Sequence, residues 1–181
     1  GKKIAGGRYV SGEGSYIEHI GDYYYLFMSY GGLEPNGGYE MRVFRSSRPD
    51  GPYKDMNGTD AIFTSWKLNY GPNADTRGEK LLGAYNHWGF MNVGERAQGH
   101  NSVLAAEDGR TYLVYHTKFN DGTVGHQVRV HQLFLNRSGW PVAAPFEFHG
   151  ETTGDRQIAS SQLFDSKEVA GRYHVLVHPY G

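Results

Sequence analysis

At 181 residues with a formal charge of −1, the chain has room for one ordinary domain or for part of a larger one, and its near-neutral balance gives no electrostatic footprint for nucleic acid or anionic lipid. The absence of cysteine excludes a disulfide framework, a thiolate nucleophile and a cysteine-based zinc site, and no stretch approaches the ~18 apolar residues of a membrane span. With 14% aromatics, 14 tyrosines and 26 glycines, the composition is that of a β-rich protein whose tyrosines suit strand packing or sugar rings.

The opening GKKIAGG has no apolar core of a signal peptide. It begins without Met and runs almost at once into a strand, so the chain is expected to be a piece of a longer polypeptide. Glu13 follows, a lone carboxylate between Gly12 and Gly14. Apolar and aromatic runs then cover Tyr16 to Ile20, Tyr23 to Tyr30 and Tyr39 to Arg45. Gly21-Asp22 reads as a hairpin turn and Gly31 to Gly38 as a longer loop, which makes three antiparallel strands. A dense turn, Arg48 to Pro52, comes next, and Lys80 to Tyr85 is a strand candidate after a loop-like interval. A second set runs Val103 to Ala106, the turn Glu107 to Gly109, Thr111 to Thr117, the loop through Asp121-Gly122, and His126 to Leu135, closed by Asn136 to Pro141. No segment has helical periodicity with caps.

GSYIEHIGDYYYLF and NSVLAAEDGRTYLV superpose at a constant offset of 87 residues, bringing Ser15 onto Ser102, Tyr25 onto Tyr112 and Leu26 onto Leu113. Radially repeated β units have this look, and a propeller blade takes ~40–50 residues. One blade with a long outer insertion fits the offset better than two blades, and a β-sandwich is the competing fold. Under this offset Glu13 falls opposite His100. Inner strands of a propeller line its channel, so a carboxylate and an imidazole are expected to face a common pocket.

The segments EGSYI, GDYYYLFMSYGG, YEMRVFRSSRPDGPYKD, QGHNSVLAAEDGRTYLVYHTKF and HQVRVHQLFLNRSGWPVAAPF resemble family 43 of the glycoside hydrolases. Within it the likeness is greatest to the endo-acting α-1,5-L-arabinanases, and it runs from about Gly12 to Thr152. The resemblance implies an all-β fold: residues 1–152 forming the C-terminal blades of a five-bladed β-propeller, and residues 153–181, with KEVAGRYHVLVHPYG, opening a small C-terminal β-barrel domain. It implies inverting hydrolysis of arabinan by a secreted or periplasmic enzyme of bacterial type.

It further implies that Glu13 is the general acid. Inversion needs one carboxylic acid to protonate the leaving oxygen and a second carboxylate ~6.5–9.5 Å away to activate water. Gly12 and Gly14 would permit close approach of backbone and substrate, and Tyr16 would help desolvate the acid. His100 would correspond to the histidine that binds one ion, usually calcium, in a shell made mostly of water, although coordination chemistry alone would not choose calcium for an imidazole. Ser102 and Arg129 are expected at the substrate with Tyr16, and Asn101 is expected to help by hydrogen bonding.

His126 and His131, five apart, face opposite sides of a strand. Trp66, Trp88 and Trp140 are candidates for stacking on arabinose, with Trp140 better placed to plug a blade edge. The family's base and its acid-tuning aspartate lie upstream of the acid, and no aspartate here matches either. Asp22, Asp50, Asp55, Asp108 and Asp121 read as turn residues. The missing N-terminal part of the enzyme is therefore expected as a partner that carries the base. Exo-acting arabinofuranosidase or β-xylosidase chemistry, and a non-catalytic arabinan-binding fragment, remain the alternatives.

Overall fold

A computed structural model describes residues 1–7, 10, 12–64, 75–83 and 92–150. The described residues are built from eight strands: β1 Glu13–Ile20, β2 Tyr23–Tyr30, β3 Glu40–Ser46, β4 Glu79–Gly83, β5 Glu95–Ala105, β6 Thr111–Phe119, β7 Gln127–Leu135 and β8 Pro141–Ala143. They form two four-stranded antiparallel sheets, ordered β1-β2-β3-β4 and β5-β6-β7-β8. The 87-residue repeat is thus one blade with an outer insertion, because β4 pairs with β3 as the fourth strand of the first sheet. Among the described residues no helix is long and apolar enough to cross a membrane. The expected β-barrel strands, the C-terminal part of the Lys80 to Tyr85 run, Trp66 and Trp88 lie outside the described residues.

Alternation along the strands sets the core. From the first sheet Tyr25, Phe27, Met41, Val43 and Leu82 pack against Val103, Leu113, Tyr115 and Leu133 of the second. Each such fully buried side chain contributes roughly 1.5–3 kcal/mol. The opposite face of the first sheet, with Leu26, Met28, Tyr30 and Phe44, is covered by Tyr53, Ala61 and Phe63 from the insertion after β3. Backbone bridges from Arg45 to Lys54 and from Gly6 to Ile62 hold that cover down.

Polar contacts latch one blade to the other. Tyr25 donates to the Gly139 carbonyl at 2.5 Å, and Arg45 reaches the Ser138 and Gly139 carbonyls. The Arg45 guanidinium also lies 4.3 Å from the ring centroids of both Tyr23 and Trp140. Trp140 is 3% exposed and plugs the joint between blades, as its turn suggested.

The constant offset needs a correction. Pairing of the second strand with the third keeps one register in both blades, Leu26 opposite Phe44 and Leu113 opposite His131. The inner strands do not follow it, since Leu26 faces Ile17 whereas Leu113 faces Val103. The cause is turn length: Ile20 pairs with Tyr23 across Gly21-Asp22, whereas Ala106 and Arg110 close over Glu107, Asp108 and Gly109. One extra turn residue slides β5 by one position against β1, which exchanges faces along a strand.

Candidate active site

Both inner strands carry a bulge at the same height. Register breaks between Glu13 and Tyr16 in β1, and between Gly99 and Ser102 in β5. Glu13 pairs with Ser29, and Gly99 with His116. The structural counterpart of Glu13 is therefore Gly99, and that of His100 is Gly14. The backbone agrees, with φ of 58° at Gly14 and 52° at His100. A left-handed residue in a bulge re-aims its neighbours, and a histidine in that conformation is uncommon enough to mark a built feature.

Glu13 and His100 still converge, through direct contact of the two bulges. A β-carbon on Gly14 would lie 2.8 Å from the His100 Cα and 2.9 Å from its ring Cγ. Gly12 likewise admits Tyr30, whose Cε1 would be 2.8 Å from a β-carbon there. The close approaches that these two glycines allow are thus made by protein groups. Both Glu13 and His100 are exposed.

The side chain that holds Glu13 is Tyr39, which donates to Glu13 Oε1 at 2.6 Å. Among the described residues Oε2 makes no hydrogen bond. Tyr39 is 2% exposed. Burial pushes its phenol far above the ordinary tyrosine range, and the hydrogen bond to Glu13 adds to the effect, while a hydrogen bond from Ser29 opposes it. The Ser29 Oγ accepts from the His100 backbone N–H at 2.8 Å. The Ser29 hydroxyl, held by the His100 amide, and the Tyr39 ring both lie against the Gly99 backbone.

Two further imidazoles complete the cluster. The His116 ring centroid lies 5.8 Å from that of Tyr39, 6.2 Å from His100 and 4.5 Å from His126. Burial, reinforced by His126 and His100, pushes His116 down to about 4, against the pull of Glu13. It is neutral at ordinary working pH, and its Nδ1 is buried without a hydrogen-bond partner among the described residues. Sequence reasoning missed Tyr39 and His116 because nothing separates either from the chain's other tyrosines and histidines without the fold.

The remaining expected residues are placed elsewhere. Tyr16 spends its hydroxyl on Glu18 Oε2 at 3.0 Å and the Val103 carbonyl at 3.1 Å, stitching the blades together. Ser102 is exposed on β5, while Asn101 is 4% exposed with both side-chain polar atoms unpaired among the described residues. Arg129 pairs with Glu147 at 3.2 Å and lies 5.0 Å over the Phe119 ring. His131 faces away from His126, its Nδ1 2.7 Å from the Ala144 carbonyl.

The aspartates set aside in the sequence stand in turns. Asp55 accepts from the backbone of Asn57, Thr59 and Gly78, and Asp50 pairs with Lys2 and Arg48. Asp108 and Asp121 cap their own loops. Among the described residues no three His, Asp or Glu side chains gather to hold a metal ion. The lone exposed imidazole of His100 fits an ion whose shell is otherwise water.

A sequence model described as glycosyl hydrolases family 43 matches residues 2–141. The chain is 41% identical to the extracellular endo-α-(1→5)-L-arabinanase 2 of Bacillus subtilis, over 98% of this chain and 38% of that protein. It is 40% identical to the extracellular endo-α-(1→5)-L-arabinanase of Thermotoga petrophila, over 98% and 37%. The crystal structure of an endo-1,5-α-L-arabinanase from Thermotoga petrophila superposes with a TM-score of 0.75 at 38% identity, covering 94% of this chain and 37% of that one. The chain spans well under half the length of these relatives. The two sheets are blades of the five-bladed propeller of such enzymes.

Proposed function

The chain belongs to family 43 of the glycosyl hydrolases, and from this we propose that it supplies the acid side of an inverting, endo-acting hydrolysis of α-1,5-L-arabinofuranosidic bonds in arabinan. The observation that carries the reading is the setting of Glu13. Its carboxyl is exposed at the start of an inner strand, anchored by one oxygen to a buried phenol, with the second oxygen open among the described residues. A general acid needs one oxygen fixed and the other presented to the leaving group. Relatives named as extracellular endo-arabinanases at 40–41% identity support the substrate class and a secreted location.

In the proposed step, Glu13 Oε2 gives its proton to the glycosidic oxygen as the bond to the anomeric carbon breaks. Water enters from the opposite face, its proton taken by a carboxylate that the earlier blades of the complete enzyme provide. His100 would hold a calcium ion through its imidazole, with water as the other ligands, and that ion would supply positive charge at the channel. Residues 1–152 form the blades in this reading. The last described segment still belongs to them, since Ala144 and Phe148 donate to the Gln132 and Val130 carbonyls of β7. Residues 153–181 would open the following domain.

The test is Glu13→Gln in the complete enzyme. Turnover on linear arabinan is expected to fall about 10²–10⁴-fold, the usual contribution of general acid catalysis. An aryl arabinofuranoside, whose leaving group needs little protonation, should lose much less. Equal losses on both substrates would assign Glu13 to binding or structure. Product lengths from linear arabinan report endo against exo action.

A further inference from the structure

We infer that Tyr39 is a positioning residue for the general acid, holding Glu13 Oε1 as a hydrogen-bond acceptor so that the transferable proton resides on Oε2. The inference rests on the reading of Glu13 as the acid and adds a residue that no motif singled out.

A carboxyl group has two near-equivalent oxygens, and a proton on the wrong one is useless to the leaving group. A phenol has one proton to donate. Tyr39 directs it at Oε1 over 2.6 Å, which makes that oxygen the acceptor in both charge states and leaves Oε2 as the O–H. The donor does not turn away, because Tyr39 is built in on every side. Its ring stacks on His116 at an interplanar angle of 26°. On another side lies the Gly99 backbone, where a β-carbon would overlap the Tyr39 Cε1 and lie 2.9 Å from Ser29 Oγ. The Ser29 hydroxyl at that place is itself fixed by the His100 amide.

After proton transfer Glu13 is a carboxylate, and the Tyr39 O–H stabilises that charge. A donor to the charged form favours it, so the interaction strengthens as the proton leaves for the glycosidic oxygen.

Tyr39→Phe in the complete enzyme keeps the ring in its slot and deletes only the donor. The expected result on linear arabinan is a kcat about 10- to 100-fold lower, the range of one hydrogen bond to a charged group, with KM little changed. The loss should be smaller on an aryl arabinofuranoside. Gly99→Ala should reproduce this signature by displacing the ring, and should have little further effect on kcat in the Tyr39→Phe background. It also serves as the test if the phenylalanine variant does not fold. Unchanged kcat, a change confined to KM, or a loss equal on both substrates would overturn the role of Tyr39 while Glu13→Gln remained strongly impaired on arabinan. An active Glu13→Gln would instead remove the acid reading itself.

Discussion

His100 sits at φ 52°, a conformation that costs a non-glycine residue about 1–2 kcal/mol. The same bulge position in the neighbouring blade is taken by Gly14 at φ 58°, so the fold tolerates the turn at either place and the imidazole is the added feature. Two substitutions separate its roles. His100→Gly should relieve the backbone strain and leave stability unchanged or raised, yet release any ion bound there. His100→Ala should release the ion and lose stability modestly. Metal analysis of protein purified without chelator, beside thermal melts, decides the matter. A native protein without divalent ion, or a variant that keeps it in full, would refute the assignment of His100. Glu13 was legible as the candidate acid at this scale because it stands alone between glycines in a motif with family context. Its partner was not, because Tyr39 lies 26 residues away and only strand pairing closes that separation.

The strands themselves were readable from alternation and turn chemistry, and β1, β2, β3, β6 and β7 lie close to the predicted runs. What the pattern concealed was register. Two turns of different length shift β5 against β1 by one residue, the matching bulges preserve that shift, and a sequence superposition has no term for either. The β3–β4 pair shows how an element is secured from inside. Glu40 is 2% exposed and meets Arg42 on β3 and Lys80 on β4 at 3.0 Å. Arg42 goes on to the Arg77 carbonyl at 2.9 Å. Removing the carboxylate would strand a buried guanidinium beside a partly buried ammonium. Glu40→Ala is expected to destabilise the protein by about 3–5 kcal/mol, seen as a lower denaturant midpoint. Glu40→Ala with Arg42→Met should recover part of that loss, because a buried pair replaced by apolar groups is often neutral. A midpoint unchanged in the single variant would show that solvent compensates the two cations.

At the scale of the whole molecule, two blades of a five-bladed ring leave two faces open. On one side lie Leu104, Val128, Phe134 and Val142, each at least 45% exposed. On the other, Ile17 is 38% exposed beside a groove of about 590 Å³ lined also by Ile4 and Val10, with Leu26 and Met28 buried at its base. Exposed apolar surface of this kind seeks partners. The 181-residue chain produced by itself is therefore expected to associate or aggregate and to be inactive on arabinan. Supplying a polypeptide that carries the remaining blades should restore hydrolysis, with the interface burying an area of the obligate class. Size-exclusion chromatography and a reducing-sugar assay check both halves. A monomer of 20.3 kDa with full activity would mean that a carboxylate of this chain acts as the base.

By itself, the sequence determined that the chain is all β and that it repeats once, and it put forward Glu13 and His100 as the candidate residues. These are local properties: periodicity, turn residues and short motifs are written in neighbouring positions. The tertiary structure decided which residues touch. It set Gly14, not Glu13, opposite His100, delivered Tyr39 to the carboxyl, buried His116 until its imidazole stays neutral, and gave Tyr16 to the joint between blades. Each outcome depends on a one-residue register or on packing between segments far apart in the chain. A single slip exchanges the two faces of a strand at no cost in composition, so only the closed geometry of the paired sheets could choose.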